Sequence, residues 1–265
     1  MKKIIALTAT LALSLSILSG CGAQNAKTES AQENFTDEMK ITYAVDLSAA
    51  DGADSVERSG DHADSPYFKH PDFYNMESTD TLTILHNFKT MQQTSEWSCG
   101  VTASLMVLNW YDKLGDWNEQ TLADLRHSLD DTEIAGYPGT TLDQAIDIFN
   151  GVGGFDLVTT YDYPDGITLD DIQSWLADGK PIMVAWNDFG GHWQTIIGYD
   201  TMGTDVTNDD VIIVADSYDT TDHSQDGYGI YPAERFIYNF TMYDSFPESE
   251  GGNDMLFIVA APSVN

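Results

Sequence analysis

One stretch of sequence, residues 99–111, restricts the possible folds of this chain more than any other. Its apolar residues recur at the three- and four-residue spacing of a helix, and small or apolar neighbours leave little of the circumference polar. The recurring positions are Val101, Leu105, Leu108 and Tyr111, flanked by Ala103, Met106 and Trp110. A helix with so broad an apolar surface is stable only when other elements cover it. The pattern predicts a central helix that begins at Cys99 and has Gly115 as its C-cap.

The segments on either side of this helix differ in their periodicity. Residues 81–88 alternate in a way typical of an extended segment. Three further stretches have the spacing and capping residues of helices, at residues 122–129, 141–149 and 168–178. Four later stretches have the pattern of strands, at residues 181–186, 192–199, 211–215 and 255–261. Helices followed by an antiparallel-looking sheet make α+β the expected fold class.

The N-terminus is expected to be an export signal and not part of the fold. Two lysines precede an apolar run over residues 4–18, and the small residues Ser19 and Gly20 lead to Cys21. A basic start, an apolar run and small residues at the cleavage point make up a secretory signal. The small-small-Cys ending resembles the bacterial lipoprotein signal, which implies cleavage before Cys21 and diacylglycerol and palmitate on that cysteine. We therefore expect residues 1–20 to be a lipoprotein signal peptide, with an ordinary signal peptide as the alternative.

The next region has a composition that disfavours a packed core. Residues 21–66 are rich in Ala, Ser, Asp, Glu, Gln and Gly, and their one short apolar stretch is residues 41–45. Such a segment buries too little apolar surface to offset the entropy lost on ordering. We predict an acidic flexible tether at residues 21–66 and a globular domain at residues 67–265. The acidic run at residues 51–64 is expected to be a solvated linker.

The charge of the chain excludes several partners. Asp and Glu number 43 against 11 Lys and Arg, which gives a formal net charge of −32. A surface this acidic repels the phosphates of nucleic acid and anionic lipid head groups, so we expect no nucleic-acid partner. Membrane attachment then depends on an anchor, which Cys21 would supply. The same charge predicts either a preference for basic peptides or a tolerance of salt.

Four residues form the candidate catalytic constellation. A nucleophilic thiol needs thiolate character, a base and donors for an oxyanion. Cys99 is predicted at the first turn of the central helix, where the helix dipole favours a thiolate. His192 begins one predicted strand and Asp216 ends the next, so neighbouring strands would hold the carboxylate against the imidazole. Gln93, six residues before Cys99, is the candidate second donor to the oxyanion.

Each of these residues also has a common structural role. A cysteine at a helix start is often a small buried hydrophobe, and Asp216 is also placed to cap a turn. Gln92 competes with Gln93 for the oxyanion role, and only spacing favours Gln93. The candidate residues of a substrate cleft are Trp97, Gly100 and Trp193. Packing in the core is the commoner role of tryptophan.

Two later loops concentrate acidic residues. Oxygen-rich loops outside the cell can bind Ca²⁺, but neither loop has the spacing of an EF-hand. Scattered histidines argue against zinc. The acidic positions, with one neighbouring histidine, are Asp200, Asp205, Asp209, Asp210, Asp219, Asp222, His223 and Asp226. We expect no metal and no cofactor, with calcium as the minor alternative.

The order of these motifs resembles that of the C39-like peptidases, a papain-like cysteine peptidase family. Residues 93–100 (QTSEWSCG) are similar to the family's Gln…Cys-Gly opening, and residues 179–199 are similar to its GKP…GHW…GY block. Ser217 stands after Asp216 where the family usually has proline, a departure expected to affect the turn more than the chemistry. The resemblance covers residues 80–262 and leaves no transporter segments after it, so the chain resembles the free-standing members.

The resemblance implies a papain-like fold in which the helix bearing Cys99 packs on an antiparallel sheet that carries His192 and Asp216. It also implies a role for each residue in the constellation. Cys99 would be the nucleophile, His192 the general base and acid, and Asp216 the residue that orients the imidazole. Gln93 would lie in the oxyanion hole.

The expected function is that of an extracytoplasmic cysteine hydrolase, first of all a peptidase, held in the bacterial cell envelope by lipid on Cys21. Its partners would be a peptide or protein substrate and, through Cys21, the membrane. One alternative is a catalytically silent, peptidase-like binding lipoprotein. Another is a peptidoglycan-directed amidase or endopeptidase, or an acyl transferase, with the same residues. Substrate specificity and oligomeric state are left open by the sequence.

Overall fold

The structure, a computed structural model, describes residues 38–42, 44–45, 71–126, 139–219 and 226–264. The predicted signal peptide, Cys21 and most of the predicted tether lie outside these ranges. The described helices are α1 (Cys99–Trp110), α2 (Glu119–Ala123), α3 (Leu142–Val152), α4 (Leu169–Ala177) and α5 (Ala233–Asn239). The strands are β1 (Leu82–Ile84), β2 (Phe155–Thr159), β3 (Ile182–Trp186), β4 (His192–Asp200), β5 (Val211–Ala215), β6 (Tyr228–Pro232) and β7 (Leu256–Pro262).

The strands within the described residues form one antiparallel sheet. Its order is β2-β7-β3-β4-β5-β6, and β1 pairs with the end of β4 that β3 leaves uncovered. Strand β4 is nine residues long and lies at the centre, with β3 and β1 along one edge and β5 along the other. This arrangement confirms the predicted α+β class with an antiparallel sheet. None of the described helices has the length and apolarity needed to cross a membrane.

The central helix α1 is buried along most of its length, as its composition predicts. Every residue from Cys99 to Leu108 is buried, and the helix packs against β4. The hydroxyl of Ser104 donates to the carbonyl of Gly100 at 2.8 Å, so this polar group inside the core is satisfied. Because other elements cover α1 on all sides, apolar residues occur around most of its circumference.

The end of α1 differs from the prediction. The helix stops at Trp110 and not near Gly115, because Asp112 adopts a left-handed backbone with a φ of 55°. The N–H of Lys113 then donates to the carbonyl of Leu108 at 2.8 Å and closes the last turn. Aspartate tolerates this conformation because its short side chain is polar.

Three described elements were not predicted from the pattern. They are β2, β6 and α5, which are all short. Strand β6 contains Gly229 and ends at Pro232, residues that weaken a strand signal. Helix α5 follows it directly and has only seven residues. The helix predicted at 122–129 is α2, which begins earlier and ends at Ala123; residues 127–138 lie outside the described ranges.

A short part of the predicted tether packs on the domain. Met39 and Ile41 are buried in the core. The N–H of Ile41 donates to the carbonyl of Thr90 at 2.8 Å, and the N–H of Thr90 donates to the carbonyl of Met39 at 3.0 Å. The folded unit therefore includes residues upstream of the predicted boundary at residue 67. Average composition hides this segment because its few apolar residues stand among many acidic ones.

This packing makes the upstream segment a contributor to stability. We expect Ile41→Ala to lower the free energy of unfolding by about 2 kcal/mol, because a buried side chain is truncated. Urea unfolding of the full chain, followed by tryptophan fluorescence, measures the change. The matched control is Thr42→Ala, since Thr42 is exposed and should change stability little. Equal stability of Ile41→Ala and the unmodified chain would contradict this role.

Candidate active site

Three of the four predicted catalytic residues come together at one end of the sheet. Cys99 begins α1, His192 begins β4, and Asp216 directly follows β5, the neighbour of β4. The Nε2 atom of His192 lies 2.6 Å from Oδ1 of Asp216. The thiol of Cys99 lies close enough to the His192 side chain for each group to shift the pKa of the other. The exposed fractions are 8% for Cys99, 4% for His192 and 1% for Asp216, so bulk water screens these contacts little.

Burial and partners act in opposite directions on each of these groups. Burial alone would raise the pKa of Cys99, but the hydrogen bond and charge of His192 lower it below its ordinary value. Burial would lower the pKa of His192, but the charge and hydrogen bond of Asp216, together with Cys99, raise it well above its ordinary value. The pKa of Asp216 is lowered by the charge of His192, which outweighs its burial. The arrangement favours a thiolate, an imidazolium and a carboxylate in series.

The start of α1 adds backbone donors to the thiol. The backbone N–H groups of Gly100 and Trp193 lie near the Cys99 thiol and lower its pKa further. The first N–H groups of a helix have no partner within the helix and carry its positive end. A negative sulfur, or a negative oxygen formed beside it, is therefore stabilised at this position.

Close packing at Gly100 keeps these donors in place. A Cβ atom on Gly100 would lie 2.7 Å from Cβ of Thr140 and 2.9 Å from Cδ1 of Trp193, which is too close for real atoms. The indole Nε1 of Trp193 donates to the carbonyl of Thr140 at 2.7 Å. Trp193 is buried and its ring lies against Gly100 at the start of α1, and its place in a substrate cleft stays a prediction. Trp97 is half-buried.

Asp216 is oriented by a side chain that the sequence analysis did not single out. The amide Nε2 of Gln194 donates to Oδ2 of Asp216 at 2.7 Å, and the N–H of Tyr218 donates to Oδ1 at 2.8 Å. The amide oxygen of Gln194 in turn accepts from the indole of Trp186 at 2.7 Å. Gln194 is two residues after His192 on the same face of β4, so strand periodicity could have identified it.

Gln93 is buried beside this group, but its amide is already engaged. Its Nε2 donates to the carbonyl of Ser95 at 2.7 Å, and its Oε1 accepts from the hydroxyl of Ser217 at 2.7 Å. Its backbone N–H also donates to the carbonyl of Ser217 at 2.9 Å. Ser217 thus joins the loop before α1 to the end of β5. The oxyanion role of Gln93 stays a prediction. Its alternative, Gln92, is half-buried.

Two buried charged residues close to Cys99 were also missed. Glu119, at the start of α2, accepts hydrogen bonds from Thr94 and Ser98 on the loop before α1. The guanidinium of Arg126 lies over the indole of Trp97, with Cζ 4.8 Å from the ring centroid. Neither residue stands in a periodic pattern or a recognisable motif, so the sequence alone offers no signal for them.

The acidic loops have structural contacts in the described ranges. Oδ2 of Asp219 accepts from the N–H of Gly227 at 2.6 Å, and Oδ1 of Asp226 accepts from the N–H of Tyr228 at 2.9 Å. No group of three or more His, Cys, Asp or Glu side chains suited to a metal ion occurs among the residues that the structure describes. Asp222 and His223, two of the candidate calcium residues, lie outside these ranges.

Comparison with known proteins identifies a related family. The family model described as the Peptidase C39 like family matches residues 85–245, which is more than half of the 265-residue chain. The matched range contains Gln93, Cys99, His192 and Asp216. A comparison with curated proteins finds no match.

The opposing effects on Cys99 lead to a direct test. We expect His192→Ala to raise the pKa of the Cys99 thiol, because burial raises this pKa and the imidazole that lowers it is removed. Alkylation by iodoacetamide should shift to higher pH and slow about tenfold below pH 7, since each pKa unit changes the thiolate fraction tenfold. The rate is measured against pH in the full chain carrying Cys21→Ser, which leaves Cys99 as its single thiol.

The matched control for this test is a second histidine. His86 is exposed, and its ring contacts the carbonyl of Met76 at 2.9 Å. His86→Ala should leave the alkylation profile of Cys99 unchanged. If His192→Ala and His86→Ala give the same profile, the His192 ring does not control the thiol.

Proposed function

The chain belongs to the C39-like peptidase family, and we propose that it is a cysteine hydrolase that cleaves peptide bonds through Cys99, His192 and Asp216. The observation that carries this proposal is the buried group of these side chains at the N-terminal end of α1, in which the His192 imidazole is hydrogen-bonded to Asp216 and lies beside the Cys99 thiol. Family membership supports a peptidase-type reaction. The group supports the same reaction independently, because it favours a charged thiolate–imidazolium pair in a poorly hydrated site.

The proposed reaction begins with attack of the Cys99 thiolate on the carbonyl carbon of the substrate. A carbon–sulfur bond forms, and the carbonyl electrons move to oxygen, where the first N–H groups of α1 stabilise the charge. Gln93 is the proposed second donor. The His192 imidazolium then gives its proton to the leaving amine as the carbon–nitrogen bond breaks, which leaves a thioester on Cys99.

Water completes the proposed cycle. His192, now neutral, takes a proton from water as the water oxygen attacks the thioester carbonyl. The carbon–sulfur bond breaks, the acid product leaves, and the thiolate–imidazolium pair is restored. Asp216 stays ionised throughout and holds the imidazole through its contact with Nε2. Gln194 holds the other carboxylate oxygen, which limits rotation of Asp216.

A panel of substrates tests the proposal. The full chain carrying Cys21→Ser is incubated with a mixed peptide library and with muropeptides, and products are detected by mass spectrometry. We expect peptide cleavage that is lost in Cys99→Ala, because the nucleophile is absent. Asp216→Asn should lower kcat by about 100-fold with a smaller effect on KM, because the imidazolium loses its partner.

Each outcome of this panel has a defined meaning. Full cleavage activity in Cys99→Ala would contradict the proposed mechanism. Cleavage or acyl transfer confined to muropeptides would replace peptidase activity with a peptidoglycan-directed reaction. A thiol that alkylates only like an ordinary cysteine, with no turnover of any substrate, would replace the enzyme with a binding protein.

We also propose that lipid on Cys21 holds this enzyme at the extracytoplasmic face of the bacterial cell envelope. The support is the basic, apolar and small-residue pattern of residues 1–20. In cells fed labelled palmitate, we expect label on the unmodified chain and in its membrane fraction, and neither with Cys21→Ser. Cys99→Ser is the matched control, because it removes the other cysteine and keeps the signal. Equal labelling of Cys21→Ser and the unmodified chain would exclude this anchor.

A further inference from the structure

A buried carboxylate lies at the start of the helix that carries Cys99. Oε1 of Glu119 accepts from the N–H of Thr94 at 2.9 Å, from Oγ of Ser98 at 2.7 Å and from Oγ1 of Thr102 at 3.3 Å. Its Oε2 accepts from Oγ1 of Thr94 at 2.7 Å. Glu119 is fully buried, so its negative charge is little screened. A negative group beside the first turn of α1 opposes a thiolate there.

A buried arginine lies near the same end of α1. Arg126 is 3% exposed, and its Nη1 donates to the carbonyl of Gly139 at 3.1 Å and to Oγ1 of Thr140 at 3.0 Å. Burial lowers the pKa of Arg126 to about 10, while the nearby Cys99 and Asp124 act in the opposite direction. The guanidinium therefore remains a cation at neutral pH, close enough to Cys99 for the two charges to attract.

The contacts of Arg126 also define one side of the site. Its guanidinium stacks on Trp97, which precedes Cys99 by two residues. Its hydrogen bond holds Thr140, whose side chain is in the tight contact with Gly100. One side chain thus ties together residues on both sides of the nucleophile.

We propose that Arg126 is a positioning residue for Cys99: its charge offsets that of Glu119, and its contacts fix Trp97 and Thr140 beside the thiol. The inference deepens the proposed function and rests on Cys99 being its nucleophile. The other described titratable or charged groups connected with this part of the structure are His192 and Asp216, which contact each other, Asp188, which contacts Gln194 as Asp216 does, Glu96 and Tyr218, which contact each other, and Asp124, whose charge acts on Arg126.

The test compares charge-changing variants by alkylation of Cys99 with iodoacetamide against pH, in the full chain carrying Cys21→Ser. Arg126→Gln removes the cation, so the midpoint should move to higher pH by about one unit, with a rate about tenfold lower below it. Arg126→Lys keeps a charge without the planar stacking group and should shift the midpoint less. Glu119→Gln is close in shape and should move the midpoint to lower pH. The double variant should return toward the unmodified midpoint.

A merely structural arginine would give a different result. Urea unfolding would then show lost stability in Arg126→Gln, while the alkylation midpoint of the folded protein stayed in place, and this outcome overturns the proposal. If Arg126→Gln does not fold, Glu119→Gln decides: a lower midpoint supports the charge balance, and an unchanged midpoint overturns it. Failure of the proposed function is distinct, because the unmodified chain itself would then alkylate with the profile of an ordinary thiol.

Discussion

The close contact between α1 and β4 is the constraint on which the rest of the structure depends. Cys99 lies on the helix and His192 on the strand, so the thiol meets the imidazole only when the two elements touch at their first residues. Gly100 permits that approach, since any side chain there would collide with Thr140 and Trp193. The apolar surface of α1 packs on β4, which lies at the centre of the sheet, so the helix and the strand bury each other.

The charged groups at this contact depend on one another. Burial disfavours the charged form of Cys99, of His192 and of Asp216, and in each case neighbouring partners reverse that effect. Removal of one member leaves the others buried without their partner, which costs more than an exposed charge would. Two further buried charged residues lie near the same end of α1: Glu119 accepts hydrogen bonds from Ser98, and the charge of Arg126 interacts with that of Cys99.

Long periodic segments and residues tied to a motif could be predicted from the sequence, and irregular contacts could not. Helix α1, strand β4 and the meeting of Cys99, His192 and Asp216 follow from period, order and family resemblance. The end of α1 could not be predicted, because one left-handed residue decides it. Glu119 was missed because its burial depends on donors from a loop 21 to 25 residues earlier, and no local pattern records such a partner.

The docking of the upstream segment has a mechanical consequence for an anchored molecule. A fully stretched chain between Cys21 and Glu38 reaches about 60 Å, and a lipid on Cys21 would limit the distance between the domain and a bilayer to that length. Tension from a lipid at Cys21 would first load the hydrogen bonds between residues 39–41 and Thr90. Thr90 lies three residues before Gln93 on the chain that leads into α1. Tension in residues 21–38 would therefore act on the loop that leads to Cys99 before it acted on the sheet.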